Sequence, residues 1–169
     1  MIVVDVGAQH HPPEESTLFL IERFQPRLLF AFDAINGFEE GVELHRSGTV
    51  VVSRRAAAWT HADGMPYHQE GMVSGVTQGV SAPLTPTFDL AALINVLPPP
   101  LVLKLDCEGA EYVLMPHLRD TGVNIALLLI EWHAPHHAHG FWVPPEQRVH
   151  LDCEEQDWND LTGLETVNR

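Results

Sequence analysis

The sequence predicts an α/β domain with a mostly parallel central sheet and helices on both faces. Short apolar runs rich in β-branched residues alternate with segments that have helical spacing and helix caps. The runs also share a polar ending, because four of them stop at an acidic residue: Asp5, Asp33, Asp106 and Glu131. The carboxyl ends of parallel strands meet at one edge, where such folds bind ligands, so the four acids are predicted to line a binding edge.

In the first half of the chain, strands are predicted wherever a short apolar run is bounded by turn residues. Ile2–Gly7 is such a run, and Leu28–Phe32 and Thr49–Ser53 are the next two. Between the first and second strands, a serine N-cap predicts a helix over Ser16–Phe24, which a following proline ends. The Gly- and Ser-containing stretch 63–81 has little periodicity, so it is predicted to form loops or short edge strands.

The second half continues the alternation. Phe88–Leu97 is predicted as a short helix that three prolines terminate, and Leu101–Leu105 is the fourth strand. A helix from about Glu108 to Leu118 contains a proline that predicts a break or kink. Asn124–Ile130 is a fifth, very apolar strand, and one more strand is predicted at about Arg148–Cys153.

The length of 169 residues fits one domain. The core is predicted over about residues 2–133, and residues 134–169 form a short tail rich in histidine, proline and acidic residues. No internal repeat or linker interrupts the chain. We therefore predict a single domain over residues 1–169.

Net charge and cysteine usage limit the classes of partner and compartment. A formal charge of −14 repels phosphate backbones and anionic lipid surfaces, so we expect neither nucleic-acid nor membrane binding. Two cysteines without a CxxC spacing exclude a disulfide framework. The apolar runs are too short to span a bilayer, and no basic region precedes the first of them. These features predict a cytoplasmic protein.

Gly7 and Asp33 suggest the chemistry of a ligand. A glycine after the first strand lets the backbone approach a ligand closely, and a carboxylate after the second strand suits the two hydroxyls of a ribose. Together they indicate an adenosine-type cofactor. A single acid in such a place is more often a helix cap, so the prediction depends on the set of four. The first turn has one glycine, and G-x-G-x-x-G, P-loop and G-x-S-x-G motifs do not occur.

The block Lys104-Leu-Asp-Cys-Glu-Gly-Ala-Glu-Tyr112 resembles the signature of FkbM-type methyltransferases, which use S-adenosylmethionine. Weaker resemblances occur in the family's order and cover roughly residues 3–133. These segments are Val4–Ala8, Phe30–Asp33, Ala57–Thr60 with Asp63-Gly64, Thr87–Leu90 and Leu129–His133.

The resemblance implies a Rossmann-like class I methyltransferase fold and methyl transfer to an oxygen of a small polar or sugar-like acceptor. It also implies roles by position. Asp5, Gly7 and Ala8 would line the methionine end of the cofactor, Asp33 would hold the ribose, Ala58 and Trp59 would lie near the adenine, and Asp106 would sit beside the transferable methyl group.

Two departures from the family pattern concern the cofactor loop and the tail. The family's first motif continues Asn-x-Gly, whereas this chain has Gln9-His10-His11 followed by two prolines. Relative to the family pattern, little sequence follows His133, so we expect a truncated C-terminal end with either a reduced substrate pocket or one completed by a second copy of the chain. These departures also favour a second hypothesis, a non-catalytic Rossmann-like module that has lost its cofactor.

Asp106, Glu131 and His133 are predicted to converge at the ends of adjacent strands. His133 is the candidate general base because an ordinary imidazole titrates near pH 6.5. Lys104 shares a strand face with Asp106, so it either orients the acceptor and offsets the charge of Asp106 or forms a buried ion pair. Glu111 lies at a helix start, where the helix dipole alone explains an acid.

The same three residues, Asp106, Glu131 and His133, also suit Mg²⁺, Mn²⁺ or Zn²⁺. A divalent-metal-dependent hydrolase at this edge is therefore a third hypothesis, although no hydrolase motif supports it. Further histidines at 136, 137 and 139 have no spacing typical of one site, and a solvated loop explains them better than a metal site does. Those at 10 and 11 replace cofactor-loop residues, and a position facing the pocket or one on the surface suits them equally well.

Overall fold

A seven-stranded sheet organises the computed structural model of this chain, which describes residues 1–8, 16–35, 37–70, 73–76, 84–133 and 143–162. The predicted loop after the first strand and most of the histidine-rich segment fall outside these ranges. In chain order the elements are β1 (Ile2–Val6), α1 (Ser16–Phe24), β2 (Leu28–Asp33), β3 (Gly41–Leu44), β4 (Val50–Arg55), β5 (Ala57–Trp59), β6 (Met65–Glu70), β7 (Val73–Val76), β8 (Leu84–Thr85), β9 (Thr87–Asp89), α2 (Leu90–Val96), β10 (Leu101–Leu105), α3 (Glu111–Asp120), β11 (Leu127–Ile130), a 3₁₀ turn (Pro145–Gln147), β12 (Glu154–Asp157) and α4 (Trp158–Thr162).

The strands of the main sheet lie in the order β12-β11-β10-β1-β2-β4-β3. Every neighbouring pair is parallel except β3 with β4. When the parallel strands alone are numbered along the chain, their order is that of a doubly wound Rossmann-like sheet. The predicted α/β class and mostly parallel sheet are confirmed. The chain changes direction across the sheet between β1 and β10, and this switch point is where such folds bind ligands.

The two faces of the sheet bury separate apolar cores, because successive side chains of a strand point in opposite directions. Val4 and Leu103 pack with α2 and α3, whereas Val3 and Val102 pack with α1 and α4. Helices therefore cover both faces, as predicted. The side chains of Asp5, Asp33 and Lys104 follow the alternation onto the α1 face. The longest described helix, α3, has 10 residues, and none of the described helices is long and apolar enough to cross a membrane.

Several elements differ from the sequence predictions. Four short strands, β3, β5, β8 and β9, were not predicted, and β9 includes Phe88 and Asp89, which were predicted as the start of a helix. The strand predicted at Arg148–Cys153 lies later, at Glu154–Asp157. Helix α3 begins at Glu111 rather than Glu108 and continues through Pro116 without a break. Where it is described, the low-periodicity stretch 63–81, for which loops or short edge strands were predicted, contains the short strands β6 and β7; their antiparallel pairing was not predicted.

The predicted capping role of Ser16 is wrong. Ser16 is the first residue of α1, and its hydroxyl donates a hydrogen bond to Asp5 Oδ2 at 2.8 Å. A serine before a helix was interpreted as a local cap, but this one makes a tertiary contact with the neighbouring strand. The predicted helix boundaries nevertheless hold, because α1 spans Ser16–Phe24.

Candidate functional site

At the switch point, the backbones that follow β1 and β10 come unusually close together. Gly7 has φ +80°, and a Cβ atom built on it would lie 1.6 Å from the carbonyl oxygen of Asp106. The backbone N–H of Asp106 donates to the carbonyl of Val6 at 3.1 Å, which extends the pairing of the two strands. Only glycine fits both the conformation and the space. The close approach predicted for Gly7 therefore exists, and its neighbour is the β10 backbone.

The Lys104 side chain links the residues that follow these two strands through hydrogen bonds. Its side chain is fully buried, and Nζ donates to the carbonyl of Gly7 at 2.7 Å and to Asp106 Oδ2 at 3.0 Å. Asp5 Oδ1 lies 3.4 Å from the same nitrogen. Burial lowers the pKa of Lys104, but the Asp106 and Asp5 carboxylates outweigh it and raise the pKa above its usual value. Lys104 therefore stays charged and offsets the charges of both acids.

Asp5 is fully buried, and its carboxylate faces α1 and Lys104. Oδ2 accepts hydrogen bonds from the hydroxyls of Ser16 at 2.8 Å and Thr17 at 3.0 Å. The contact of Oδ1 with Lys104 is an ion pair without an aligned hydrogen bond. These contacts fix the start of α1 beside β1. The cofactor contact predicted for Asp5 stays a prediction, and the described contacts of its carboxylate are structural.

A sharp turn after β10 directs the next acids toward β11. Ala110 N–H donates to the carbonyl of Cys107, and the two residues inside this turn, Glu108 and Gly109, have φ values of +50° and +100°. A non-glycine residue with positive φ is strained and tends to occur at functional sites. The turn delays the start of α3 to Glu111, which explains why the predicted helix begins too early.

Glu111 holds His133 in place. Its fully buried carboxylate accepts from His133 N–H at 3.0 Å and lies 2.9 Å from His133 Nδ1 through Oε1. Oε2 accepts from Gly109 N–H at 2.9 Å. Tyr112 adds a further restraint, since its hydroxyl donates to the carbonyl of His133 at 2.6 Å. A carboxylate at Nδ1 favours a proton on that nitrogen and orients Nε2.

The Nε2 edge of His133 faces three more carboxylates. The distances from Nε2 are 3.5 Å to Asp106 Oδ1, 3.6 Å to Glu108 Oε2 and 3.9 Å to Glu131 Oε1. One candidate ligand atom from each of Asp106, Glu131 and His133 lies within 4.8 Å of the others. The structure thus brings together the three residues that the sequence analysis expected to converge.

The charges in this cluster shift the pKa values of its members. Burial lowers the pKa of His133, but the hydrogen bond to Glu111 and the charges of Glu111, Glu108 and Asp106 raise it to about 9. Burial raises the pKa of Glu108 to about 7, with repulsion from neighbouring acids adding to the effect. At pH 7 the imidazole of the metal-free protein carries its proton. The predicted role of His133 as a general base therefore requires conditions that lower this pKa.

Removing the charge of Glu111 should reverse this shift. In metal-free protein, we expect the His133 ring to titrate near pH 9. In Glu111→Gln we expect its pKa to fall, because burial, which opposes protonation, then outweighs the remaining acids. Nuclear magnetic resonance of the ring Cε1–H, assigned with His133→Gln, measures both values. A His133 ring that titrates near the ordinary value of about 6.5 in the unmodified protein would contradict the described contacts.

On the other side of the switch point, Asp33 ends β2 at the same sheet edge. It is 8% exposed, and Oδ1 accepts from the backbone N–H of Ile35 at 2.8 Å. Burial raises the pKa of Asp33. Ala8 is buried and donates its N–H to the carbonyl of Phe32 at 3.1 Å. Carbonyl and N–H groups from β1 and β2 therefore fix the backbone beside Asp33.

Ala58 and Trp59, predicted near an adenine, lie in β5 beside β9. Ala58 packs in the core with Phe32 and Leu90, and both Ala58 and Trp59 are buried. Their predicted contact with a base stays a prediction. The histidines at 10, 11, 136, 137 and 139 fall outside the described residues, so the structure places none of them.

Sequence reasoning missed the roles of Glu108, Glu111 and Tyr112. Glu111 was attributed to the helix dipole, and nothing in the sequence places its carboxylate against a histidine 22 positions later. The glycine at 109 was the available signal, because an acid before a glycine after a strand is typical of a turn with positive φ.

No family model, no curated protein and no solved structure matches this chain.

Proposed function

We propose that this protein is an S-adenosylmethionine-dependent methyltransferase that acts on an oxygen of a small polar or sugar-like acceptor. One observation carries the proposal: Asp33 and the Asp106–His133 cluster flank the switch point of a doubly wound sheet at its carboxyl edge. In this order of strands, an acid after the second strand is the usual partner of a cofactor ribose. The FkbM-like block at residues 104–112 supports the same assignment.

The residues at the carboxyl ends of β1 and β2 suit the nucleoside part of the cofactor. Asp33 presents a mostly buried carboxylate, which can accept hydrogen bonds from a pair of neighbouring hydroxyls. The Gly7–Ala8 backbone lies beside it, held by the carbonyl of Phe32. S-adenosylmethionine would supply an electrophilic methyl group at this edge. The chain's own contribution there is to bind the ribose and to fix the turn next to it.

The residues at the carboxyl ends of β10 and β11 suit an acceptor. Methyl transfer needs the acceptor oxygen held in line with the methyl group, together with a group that takes its proton. Asp106, Glu131 and His133 present oxygen and nitrogen atoms close together. Lys104 fixes the Asp106 carboxylate, and Glu111 fixes the His133 ring. Such a set can accept hydrogen bonds from a polyhydroxyl molecule, which is why we favour a sugar-like acceptor.

The acidic cluster gives one specific reason to keep a second candidate, a divalent-metal-dependent hydrolase. Two carboxylates and one imidazole within 4.8 Å would hold an ion that activates water. This candidate makes no use of Asp33. Cofactor binding therefore distinguishes the two functions, and the non-catalytic module is the outcome in which neither cofactor nor metal binds.

Asp33→Asn should weaken binding of S-adenosylhomocysteine by about 10- to 100-fold, because a hydrogen-bond acceptor with full charge is lost while the side-chain shape is kept. Asparagine Oδ1 can still accept from Ile35 N–H, so the fold should survive. Isothermal titration calorimetry of the purified chain measures the affinity.

Asp120→Asn is the matched control, because Asp120 is exposed at the end of α3, where it pairs with Arg119. Its affinity for S-adenosylhomocysteine should equal that of the unmodified protein. The absence of binding to the folded, unmodified chain would overturn the proposed function, and equal affinities of the Asp33 and Asp120 variants would overturn the role of Asp33.

A further inference from the structure

We propose that the cluster on β10, β11 and the turn after β10 is a divalent-cation site, with Asp106, Glu131 and His133 as ligands and Glu111 as the residue that orients His133. The ion that we favour is Mn²⁺, a hard transition-metal ion that suits carboxylate ligands. This inference does not depend on the proposed methyltransferase activity, because it involves neither Asp33 nor the nucleoside side of the edge.

The state of His133 is the first argument. The ring is 8% exposed, and its Nδ1 is engaged by Glu111 at 2.9 Å. Nε2 has no aligned hydrogen bond to any residue in the described ranges, although three carboxylates lie 3.5 to 3.9 Å away. These distances are longer than a hydrogen bond and leave room for a shared partner. A cation among Asp106, Glu131 and His133, whose candidate ligand atoms lie within 4.8 Å of one another, would bind the nitrogen and two of the acids.

The supporting shell is the second argument. Ligating histidines in metal sites usually give their other ring nitrogen to a carboxylate, which fixes the tautomer and the ring orientation. Glu111 does this here, and it is itself held by Gly109 N–H and His133 N–H. Asp106 is fixed in a comparable way by Lys104 at 3.0 Å. Two of the three proposed ligands are therefore already oriented by buried charged groups.

The donor set indicates the kind of ion. Carboxylate oxygens suit Mg²⁺ and Mn²⁺, whereas an imidazole nitrogen suits transition ions. A set of two carboxylates and one imidazole therefore favours Mn²⁺ over Mg²⁺. The acids are partly exposed, so an ion can reach them from solvent.

Mn²⁺ is also the better experimental probe, because the chain has 11 histidines and Zn²⁺ would bind histidine-rich segments elsewhere. The experiment titrates chelator-treated full chain with MnCl₂ and measures free Mn²⁺ by electron paramagnetic resonance. We expect about one bound Mn²⁺ per chain, with a weaker response to MgCl₂. Glu131→Gln and His133→Gln should each weaken Mn²⁺ binding at least about tenfold.

Two further variants separate ligation from folding. His150→Gln removes a histidine that pairs with Glu155 at an exposed position, and Mn²⁺ binding should not change. Glu111→Gln should weaken binding by about 10- to 100-fold, the usual effect of removing an orienting carboxylate. For metal-free Glu111→Gln at a pH above the His133 pKa of about 9, where the ring is neutral, nitrogen NMR of His133 should show loss of the preferred Nδ1–H tautomer, which a purely structural role would not change.

The outcomes separate this inference from the proposed function. Failure of the folded, unmodified chain to bind Mn²⁺, or equal binding by the Glu131, His133 and His150 variants, would overturn the cation site. If S-adenosylhomocysteine does not bind and Mn²⁺ does, the methyltransferase proposal fails while the cation site stands.

Discussion

Gly7→Ala should destabilise the protein far more than the same substitution at Gly48. The new Cβ would lie 1.6 Å from the carbonyl oxygen of Asp106. Because Gly7 and Asp106 directly follow the paired parallel strands β1 and β10, and neither a Cβ atom nor a main-chain carbonyl moves with side-chain rotation, no rotamer change can relieve the clash. Strand β1 or β10 must shift, and this shift disturbs the contacts of Lys104 with both strand ends. We expect a loss above about 4 kcal/mol, which is exceptional for one substitution.

Gly48→Ala is the matched control. Gly48 has φ +89°, close to that of Gly7, but nothing lies within 4 Å of the position that a Cβ atom would take there. The cost should be only the left-handed conformation, about 1–2 kcal/mol. Urea unfolding followed by circular dichroism measures the difference. Equal losses in the two variants would contradict the close approach of β1 and β10, and an unfolded Gly7→Ala beside a folded Gly48→Ala would support it.

Lys104→Met should cost about 3–5 kcal/mol, because it removes the counter-charge of one fully buried acid, Asp5, and of a second, Asp106, that is mostly buried. Methionine keeps much of the apolar length of the lysine side chain, so little of the loss comes from packing. Asp5 is fully buried and Asp106 mostly buried, and Lys104 is the lysine or arginine that pairs with both of them in the described part of the chain. Chemical unfolding at pH 7 gives the free energy of unfolding of the variant.

Two comparisons make the Lys104 result specific. Arg119→Met breaks the exposed pair with Asp120, and this should cost less than about 1 kcal/mol. Adding Asp5→Asn to Lys104→Met should restore part of the stability, since the amide oxygen can still accept from Ser16 and Thr17 while the buried charge is gone. The ion-pair interpretation is wrong if Lys104→Met is no more harmful than Arg119→Met or if the double variant is less stable still.

The strands of the sheet could be predicted well because their sequence signal is local. Each central strand is a short apolar run, and burial on both faces leaves no alternation that could be mistaken for another structure. Edge elements carry a weaker signal. Strand β3 is exposed throughout, and β12 is a run of acidic and amide residues, so neither has the apolar pattern that predicts a strand. These two segments form strands because their backbones pair with the neighbouring strands β4 and β11.

The meeting of the site residues at one sheet edge could be predicted from the topology, whereas their hydrogen bonds and ion pairs could not. The acids at the ends of β10 and β11 had to meet once the sheet was parallel, so Asp106, Glu131 and His133 were predictable as a group. The partners of Asp5 and the role of Glu111 depend on which way buried side chains turn. An acid at the start of a helix, such as Glu111, is already explained by the helix dipole, and an acid near the end of a strand, such as Asp5, by helix capping. Nothing in the sequence therefore indicated their tertiary contacts.

A crystal structure of the chain with S-adenosylhomocysteine bound tests the central proposal most directly. The proposal predicts density for the nucleoside at the switch point, with the ribose hydroxyls hydrogen-bonded to the Asp33 carboxylate and the sulfur on the side of Asp106. A nucleoside bound elsewhere, or an Asp33 carboxylate without a ribose contact in a fully occupied complex, would contradict it.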